Sequence, residues 1–231
     1  MKKYAQEDVD ALPTIGGVKH CPTGEYVDCK FGRDCTFDSY CLFFGSCTFD
    51  SHCLFGRGCR FGGYCSFGSN CSFDRNCCFG GYCSFGGYCS FGRYCGFGGY
   101  CKFNSGCRFV GSCIFEGYCS FVGNCSFGGN CSFEGYCSFV GNCSFEGHKA
   151  RTDNPFIALD RAGSVDRKTY FFDFVDGIYV RTGCFFGTLQ EFRQKVLQDD
   201  TTSDKRSTKT LVYLGFANLA CAQFNQMENV E

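Results

Sequence analysis

A six-residue pattern of apolar and polar positions dominates residues 29–147. Cysteine recurs every six residues from Cys29 to Cys143, twenty times without a break, and phenylalanine follows each of these cysteines by two positions. The residue between them is usually polar, most often serine. Because side chains alternate between the two faces of an extended strand, cysteine and phenylalanine share one face and serine lies on the other. The pattern therefore predicts short strands with an apolar inner face.

The residues between successive strands predict tight corners. They are rich in glycine, asparagine and tyrosine, and glycine and asparagine adopt positive φ at the lowest cost. A three-residue strand cannot bury itself, whereas strands stacked about 4.8 Å apart in successive coils can. Such stacking predicts a β-solenoid.

The length of one coil is indicated by repeats of 18 residues. The segment from Phe115 to Phe127 recurs residue for residue at 133–145, and tyrosine recurs at the same interval. Three hexads per triangular coil is the simplest arrangement, although some tyrosines also lie six residues apart. Twenty hexads then predict about six to seven coils.

The ends of the chain depart from the hexads and predict caps over the unpaired strand edges. Residues 1–28 include Pro13 and predict an irregular N-terminal cap with one short strand near Tyr26. From residue 149 the hexads stop. We therefore predict a mainly β, triangular β-helix with a small C-terminal α+β cap, divided into 1–28 (N-terminal cap), 29–148 (repeat) and 149–231 (C-terminal domain).

Within the C-terminal domain, apolar runs and turn residues predict strands. Residues 156–159 predict one strand, and residues 170–175 and 178–181 predict a hairpin joined by Asp176-Gly177. Cys184 lies outside the hexads and is predicted to occupy a buried hairpin position.

Two helices are predicted after the hairpin. Thr188-Leu-Gln-Glu191 is a capping box that begins a helix ending near Gln198. Residues 199–209 are polar and predict a loop. A second helix over about 210–225 carries apolar residues on a wide arc, which predicts burial on two sides, by the solenoid end or by another subunit.

The twenty-four cysteines allow three interpretations. Disulfides normally accompany a secretion signal, and Met1-Lys-Lys-Tyr4 is followed by acidic residues instead of an apolar signal segment. Metal sites favour Cys-x2-Cys pairs, whereas five residues separate successive hexad cysteines. Packing of a small apolar residue between phenylalanine rings is the favoured interpretation. We predict no metal ligand and no cofactor.

The segment Phe127-Gly-Gly-Asn-Cys-Ser132 resembles the hexapeptide repeat of left-handed β-helix proteins, in which glycine, two variable residues and a small residue follow an apolar one. The resemblance covers about residues 29–147, with phenylalanine where that family usually has Ile, Val or Leu. It implies a left-handed helix and a homotrimer. Cys-x-Phe also resembles pentapeptide-repeat proteins, but the period here is six. The chain is similar as well to uncharacterised Cys-x-Phe-Gly repeat proteins of phages and bacteria.

Charge and hydropathy exclude several classes of protein. There are 22 basic and 23 acidic residues, a net charge of −1 at pH 7, so no global field attracts nucleic acid or anionic membranes. No stretch approaches the roughly 18 apolar residues of a membrane span. Basic residues outnumber acidic ones between Lys30 and Arg108, and Glu116, Glu134 and Glu146 follow without a basic residue. We expect a cytoplasmic protein with neither nucleic-acid nor membrane partners.

Catalytic signals are weak. Hexapeptide-repeat proteins are often acyltransferases, and the resemblance implies a histidine base at a boundary between subunits. The chain has three histidines, of which His20 and His52 stand apart and His148 lies at the junction with the C-terminal domain. No phosphate-binding loop, Gly-x-Ser-x-Gly elbow or His-Glu-x-x-His motif occurs. We predict no enzyme and no catalytic residue, and the alternative is an acyltransferase-like enzyme using His148 or His52.

Tyrosine at one corner of the coil is the strongest signal for binding, because its ring combines an apolar face with a hydroxyl. Shielding of the coil edges is the other interpretation of these tyrosines. The predicted binding residues are Tyr64, Tyr82, Tyr100, Tyr118, Tyr136 and His148.

These signals predict a non-catalytic binding or scaffold protein, favoured as a homotrimer, with an unidentified host protein or small ligand as partner. The resemblance to phage proteins implies an accessory protein that sequesters a host protein or a small signalling molecule. A structural element of the virion is a further alternative.

Overall fold

The structure, a computed structural model, describes residues 1–159, 168–200 and 208–224. The chain divides into two units, Met1–Gly147 and His148–Glu231. The first is a β-solenoid of about eight coils, and the second combines an antiparallel sheet with helices. The predicted fold class, a mainly β solenoid with a small C-terminal α+β cap, is confirmed.

Three sheets form the walls of the solenoid. Apart from the antiparallel pair Thr14–Ile15 and Val18–Cys21, successive strands of the solenoid belong to different sheets, and strands one coil apart pair in parallel. Phe61 lies opposite Phe79 and Tyr64 opposite Tyr82, a shift of 18 residues. The register therefore confirms three hexads per coil.

The strands are short, and each sheet takes every third strand of the repeat. Sheet 1 contains β1 (Lys3–Tyr4), β4 (Glu25–Val27), β7 (Leu42–Phe44), β10 (Arg60–Phe61), β13 (Cys78–Phe79), β16 (Gly96–Phe97), β19 (Ile114–Phe115) and β22 (Ser132–Phe133). Sheet 2 contains β5 (Lys30–Phe31), β8 (Thr48–Phe49), β11 (Tyr64–Phe67), β14 (Tyr82–Phe85), β17 (Tyr100–Phe103), β20 (Tyr118–Val122) and β23 (Cys137–Val140). Sheet 3 contains β2 (Thr14–Ile15), β3 (Val18–Cys21), β6 (Cys35–Phe37), β9 (Leu54–Phe55), β12 (Ser72–Phe73), β15 (Ser90–Phe91), β18 (Arg108–Phe109), β21 (Ser126–Phe127) and β24 (Ser144–Phe145).

The core of the solenoid is three columns of phenylalanine rings, one from each sheet. Within a column neighbouring rings are stacked with nearly parallel planes, as Phe97 is with Phe79 and Phe115, with centroids 4.9 Å apart in both cases. Between columns the rings meet edge to face, as Phe97 does with Phe91 and Phe103 at 5.1 Å. Both arrangements are favourable for aromatic pairs. Phenylalanine in place of smaller aliphatic residues therefore fills the interior from all three sides.

The prediction of six to seven coils was too low, because the N-terminal segment continues the solenoid. This segment adds β1, β3 and β4 to the sheets. It also forms a short helix, α1 (Gln6–Asp10). Tyrosine replaces phenylalanine here: Tyr26 is buried and stacks on Phe43 at 5.3 Å and on Tyr4 at 4.8 Å. The hexad count missed this part, since neither the residue type nor the spacing is regular.

The second unit is built around a four-stranded antiparallel sheet of β26 (Phe156–Leu159), β27 (Thr169–Phe174), β28 (Gly177–Thr182) and β29 (Phe185–Thr188). Its other elements are β25 (His148–Lys149), α2 (Leu189–Gln198) and α3 (Thr208–Gln223). Phe171 and Val180 from the sheet pack with Leu189 and Phe192 of α2 and Ala217 of α3. The predicted strand 156–159, hairpin and first helix are all present.

One expectation for this unit needs correction. Cys184 is exposed and not buried, because it lies in the turn between β28 and β29. On α3, Leu211 and Leu219 are exposed in the single chain, and cover of this apolar arc by another subunit stays a prediction. Most of the predicted loop 199–209 lies outside the described residues.

Candidate functional site

The strands of sheet 2 that begin at a tyrosine are longer than most strands of the solenoid, because the backbone turns differently at the corner before them. At other corners the residue before the cysteine often has a positive φ, as His52 (65°) and Tyr94 (61°) do. Before three strands of sheet 2 the glycine one position earlier takes that conformation instead, at Gly63 (78°), Gly81 (72°) and Gly99 (74°). The tyrosine that follows is extended and begins the strand, as Tyr82 begins β14. Its side chain therefore lies on the outer face, beside the residue two positions later.

The same glycines allow the coils to approach closely. A Cβ on Gly81 would lie 2.5 Å from the carbonyl oxygen of Gly63, one coil earlier. That carbonyl accepts a hydrogen bond of 2.9 Å from the backbone amide of Tyr82, and the next step repeats it from Tyr100 to Gly81 at 2.8 Å. A positive φ at the glycine, as at Gly63, Gly81 and Gly99, extends the following tyrosine onto this face. The sequence Gly-Tyr-Cys alone does not, since at Gly87-Tyr88-Cys89 the positive φ falls on Tyr88 (59°).

The result is a ladder of five stacked tyrosines. Successive ring centroids are 5.0, 4.8, 4.8 and 5.1 Å apart, and all neighbouring ring planes are close to parallel. Every ring stays about half exposed or more, from 49% at Tyr100 to 77% at Tyr136. The tyrosine ladder consists of the five tyrosines predicted from the sequence: Tyr64, Tyr82, Tyr100, Tyr118 and Tyr136.

A row of polar residues runs beside the tyrosine ladder, and together they line a groove of about 810 Å³. The row consists of Ser66, Ser84, Lys102, Ser120 and Ser138. Lys102 lies at its middle and is the sole charged side chain among the described residues that line the groove. Sequence reasoning placed the serines on the outer face of the strands but did not connect this row with the tyrosines. The signal was the spacing of two residues between tyrosine and serine, which becomes informative once both are known to be in the strand.

This arrangement can hold an elongated partner along the solenoid axis. Five strands at about 4.8 Å spacing present roughly 20 Å of regular surface. The stacked rings cover each other's faces, so their edges and hydroxyls are offered outward, next to serine hydroxyls. Lys102 would attract a negatively charged group near the centre of the groove.

His148, the sixth predicted residue, belongs to the second unit and is not among the residues that line the groove. Its Nδ1 lies 2.7 Å from Oδ2 of Asp176, and its ring stacks on Phe174 at 5.2 Å and meets Tyr179 at 4.2 Å. Partial burial tends to raise the pKa of Asp176, but hydrogen bonds from His148, its own backbone amide and Tyr179 hold that pKa below its ordinary value. Asp176 is thus a carboxylate that orients the His148 ring.

The other histidines lie apart. His52 is an exposed corner residue whose Nδ1 is 3.2 Å from a guanidinium nitrogen of Arg33, and His20 is exposed in β3. Within residues 1–159, 168–200 and 208–224, no three His, Cys, Asp or Glu side chains gather in a way that could hold a metal ion.

All 24 cysteines lie within the described residues and have the thiol form, and every hexad cysteine except Cys137 is buried. Hydrogen bonding with the neighbouring Cys131 thiol, together with burial, raises the pKa of Cys113 to about 12. Hydrogen bonds with Cys119 and Cys83, together with burial, also raise the pKa of Cys101. A thiol without a proton is the reactive form, so Cys113 and Cys101 are unreactive at neutral pH. Burial is what the hexad cysteines share, which agrees with a role in filling space between the phenylalanine rings.

The chain matches no protein-family model, no curated protein and no solved structure. In the part of the chain that the structure describes, no helix has the length and apolar character needed to cross a membrane.

Proposed function

We propose that this chain is a non-catalytic binding protein of the left-handed hexapeptide-repeat type that holds its partner on the tyrosine ladder. The observation that carries the proposal is the groove itself: five exposed, regularly spaced rings with four serines and one lysine beside them. Each ring is held in place by stacking and by a backbone ladder. A rigid surface loses little conformational entropy when a partner binds.

The chemistry of the groove defines the partner. Ring edges and hydroxyls suit an elongated molecule or protein segment with both apolar and hydrogen-bonding groups, and Lys102 favours an acidic group at its centre. Sequestration of such a host protein or small ligand is the corresponding cellular role. Assembly as a homotrimer, which the family resemblance implies, belongs to the same proposal.

The decisive experiment is native mass spectrometry of the protein purified from cells under reducing conditions. We compare the wild type with a triple variant, Tyr82→Ser, Tyr100→Ser and Tyr118→Ser, which empties the middle of the tyrosine ladder. The matched control is Tyr88→Ser, because Tyr88 is an exposed corner tyrosine that does not line the groove. The wild type and the control should retain the same bound mass, and the triple variant should lose it.

Two results would contradict this proposal. One is a wild-type protein that retains nothing and recovers no interactor in repeated purifications. The other is a bound mass that survives in the triple variant, which would place the partner elsewhere. The same spectra give the stoichiometry and therefore test the trimer.

A second candidate, acyl transfer, is favoured by one contact. Asp176 accepts a hydrogen bond from Nδ1 of His148, which would leave Nε2 free to accept a proton from an acyl acceptor. This enzyme would bind acetyl-CoA, and His148→Gln would abolish turnover while the far-UV circular dichroism stays unchanged. Absence of acetyl-CoA binding at millimolar concentration would remove this candidate.

A further inference from the structure

A second groove lies on the solenoid, at the corner between sheet 3 and sheet 1. Arginine occupies this corner in three successive coils, at Arg57, Arg75 and Arg93. The carbonyl oxygens of Arg75 and Arg93 accept corner hydrogen bonds of 3.0 Å from Gly58 and Asn76. In the next three coils the same position holds Gly111, Gly129 and Gly147. A column of three arginines is therefore followed, in the next three coils, by a column of three glycines, here named the glycine floor.

The glycine floor and the outer face of sheet 3 enclose a groove of about 620 Å³, here named the arginine groove. Arg93 and Arg108 line it, together with Ser126, Ser144 and Asn130. Arg108 lies in register with Ser126, and Ser126 with Ser144, so one guanidinium and two hydroxyls form a row.

Glycine at position 111 gives Arg93 its place in this groove. A Cβ on Gly111 would lie 2.6 Å from Cγ of Arg93, so the aliphatic part of the arginine lies directly over the glycine. The arginine chain thus extends from its own coil across the next one. Both Arg93 and Gly111 line the groove.

The charge in the arginine groove is entirely positive. Its lining includes no aspartate or glutamate, and within the described residues neither Arg93 nor Arg108 has a carboxylate oxygen closer than 4.0 Å. Guanidinium groups bind phosphate and carboxylate through paired, charge-assisted hydrogen bonds. The remaining lining is serine hydroxyls, an asparagine amide and glycine backbone, which suits a ligand rich in hydroxyl groups.

We propose that the arginine groove binds a sugar phosphate. The phosphate lies at Arg93 and Arg108, and the sugar hydroxyls bind along Ser126, Ser144 and Asn130 over the glycine floor. This site shares no residue with the tyrosine ladder, so it is a second binding function. A free phosphate would leave the serine row unused, and a long polyanion would extend along Arg57 and Arg75, outside the groove.

Isothermal titration calorimetry on the full chain tests this proposal with three probes: glucose 6-phosphate, inorganic phosphate and glucose. Glucose 6-phosphate should bind more tightly than phosphate, and glucose should give no measurable heat. Arg93→Gln and Arg108→Gln should each weaken binding of the ester about tenfold, since each removes charged hydrogen bonds. Ser126→Ala should weaken the ester and leave phosphate unchanged.

The matched control is Arg57→Gln, which removes the same charge from the same corner but outside the groove. It should leave the affinity unchanged, as should the triple tyrosine variant. Equal weakening by Arg57→Gln would overturn the proposal in favour of diffuse attraction to the arginine column. Equal affinity for phosphate and its sugar ester, or no binding of the ester at about 10 mM, would overturn it too.

Discussion

The two units of this protein differ in how their buried side chains pack against one another. In the solenoid the neighbours of a buried residue are copies of the same residue one coil away, as Phe97 lies between Phe79 and Phe115. In the second unit each buried residue has different neighbours, drawn from the sheet and from both helices. Repetition makes the core of the solenoid uniform, whereas the second unit has to fit each contact individually.

Buried polar groups follow the same division. Among the described residues, the buried polar side chains all lie in the second unit: Thr169, Asp173, Arg181 and Thr210. Asp173 there accepts a hydrogen bond of 3.0 Å from Arg151, and the Arg181 guanidinium lies over the Tyr170 ring at 4.8 Å. The solenoid instead places its polar groups outside, where repetition converts single residues into columns. The 18-residue repeat that stacks identical residues in the core also stacks identical residues on the surface, and an extended binding surface results.

The largest expected effect is the loss of one phenylalanine from the solenoid core. Phe97→Ala should lower the free energy of unfolding by about 3–5 kcal/mol, because Phe97 is buried and stacks or meets edge to face with rings on every side. Phe171→Ala should cost less, since among the described residues the one aromatic neighbour of Phe171 is Phe192, at 5.8 Å. Urea denaturation followed by circular dichroism measures both.

Ile114→Ala is the control for that experiment, because Ile114 lies in the neighbouring strand of sheet 1 but is 40% exposed. It should change stability by less than about 0.5 kcal/mol. If Phe171→Ala destabilised as much as Phe97→Ala, the phenylalanine columns would have no special energetic role.

The next effect concerns the thiols, which should differ in reactivity between buried and exposed positions by at least about 100-fold. Cys78 in the solenoid and Cys184 in the second unit are exposed, whereas the buried thiols react only when a coil opens. Intact mass after brief iodoacetamide treatment should show about two rapid additions.

The matched control for the thiol experiment is the same treatment in denaturant, which should modify the full set of cysteines. Rapid modification of many hexad cysteines in the native protein would mean that the coils open readily. The uniform core of the solenoid would then not be the more stable of the two units.

A smaller effect is expected from one glycine at the corner that positions the tyrosine ladder. Gly99→Ala should cost about 2 kcal/mol, because φ is +74° and the new Cβ would collide with the carbonyl of Gly81. Gly96→Ala, three residues earlier, should be neutral, since no atom lies within 4 Å of its Cβ position. Melting temperatures of the two variants give the answer, and equal melting temperatures would refute the close approach at this corner.

Most of the fold was predictable because the same sequence pattern occurs in every hexad of the repeat. The inner face, the coil of 18 residues and the five tyrosines all follow from the spacing of identical residues. The additional coil was not predictable, since Tyr4 and Tyr26 take the place of phenylalanine without the hexad spacing. Cys184 follows Gly183, which has a φ of 58°, and glycine between two apolar runs is the turn signal that would have placed this cysteine outside the strand.

The candidate sites were predictable only in part, for a geometric reason. A column of tyrosines is visible in the sequence, but its partners depend on which corner residue has a positive φ. That choice extends the strand by two residues, as in Tyr100–Phe103 compared with Ser90–Phe91, and brings the tyrosine onto the face that holds Lys102 and the serines. The arginine groove also depends on register, because Arg93 reaches across Gly111 of the next coil.

The smallest expected effect concerns the capping box at the start of α2, a local signal that the hexad repeat does not contain. Thr188 accepts a hydrogen bond at Oγ1 from the amide of Glu191 (3.2 Å), and the Glu191 carboxylate accepts one from the amide of Thr188 (2.8 Å). Thr188→Ala should cost about 1 kcal/mol at pH 7, and Gln190→Ala, an exposed neighbour in α2, should cost less. Thermal melts of both variants from pH 7 to pH 3 measure the difference.

The pH dependence of that difference has a definite sign. Hydrogen bonds from the backbone amide and then the hydroxyl of Thr188 lower the pKa of Glu191. A carboxyl group whose pKa is lower in the folded state stabilises above its unfolded pKa, about 4.3, and loses that contribution as the pH falls through the folded value. The penalty of Thr188→Ala should therefore shrink in acid. That of Gly99→Ala should stay constant, because it arises from backbone conformation and contact. A Thr188→Ala penalty that grew in acid would show that the capping carboxylate does not stabilise α2.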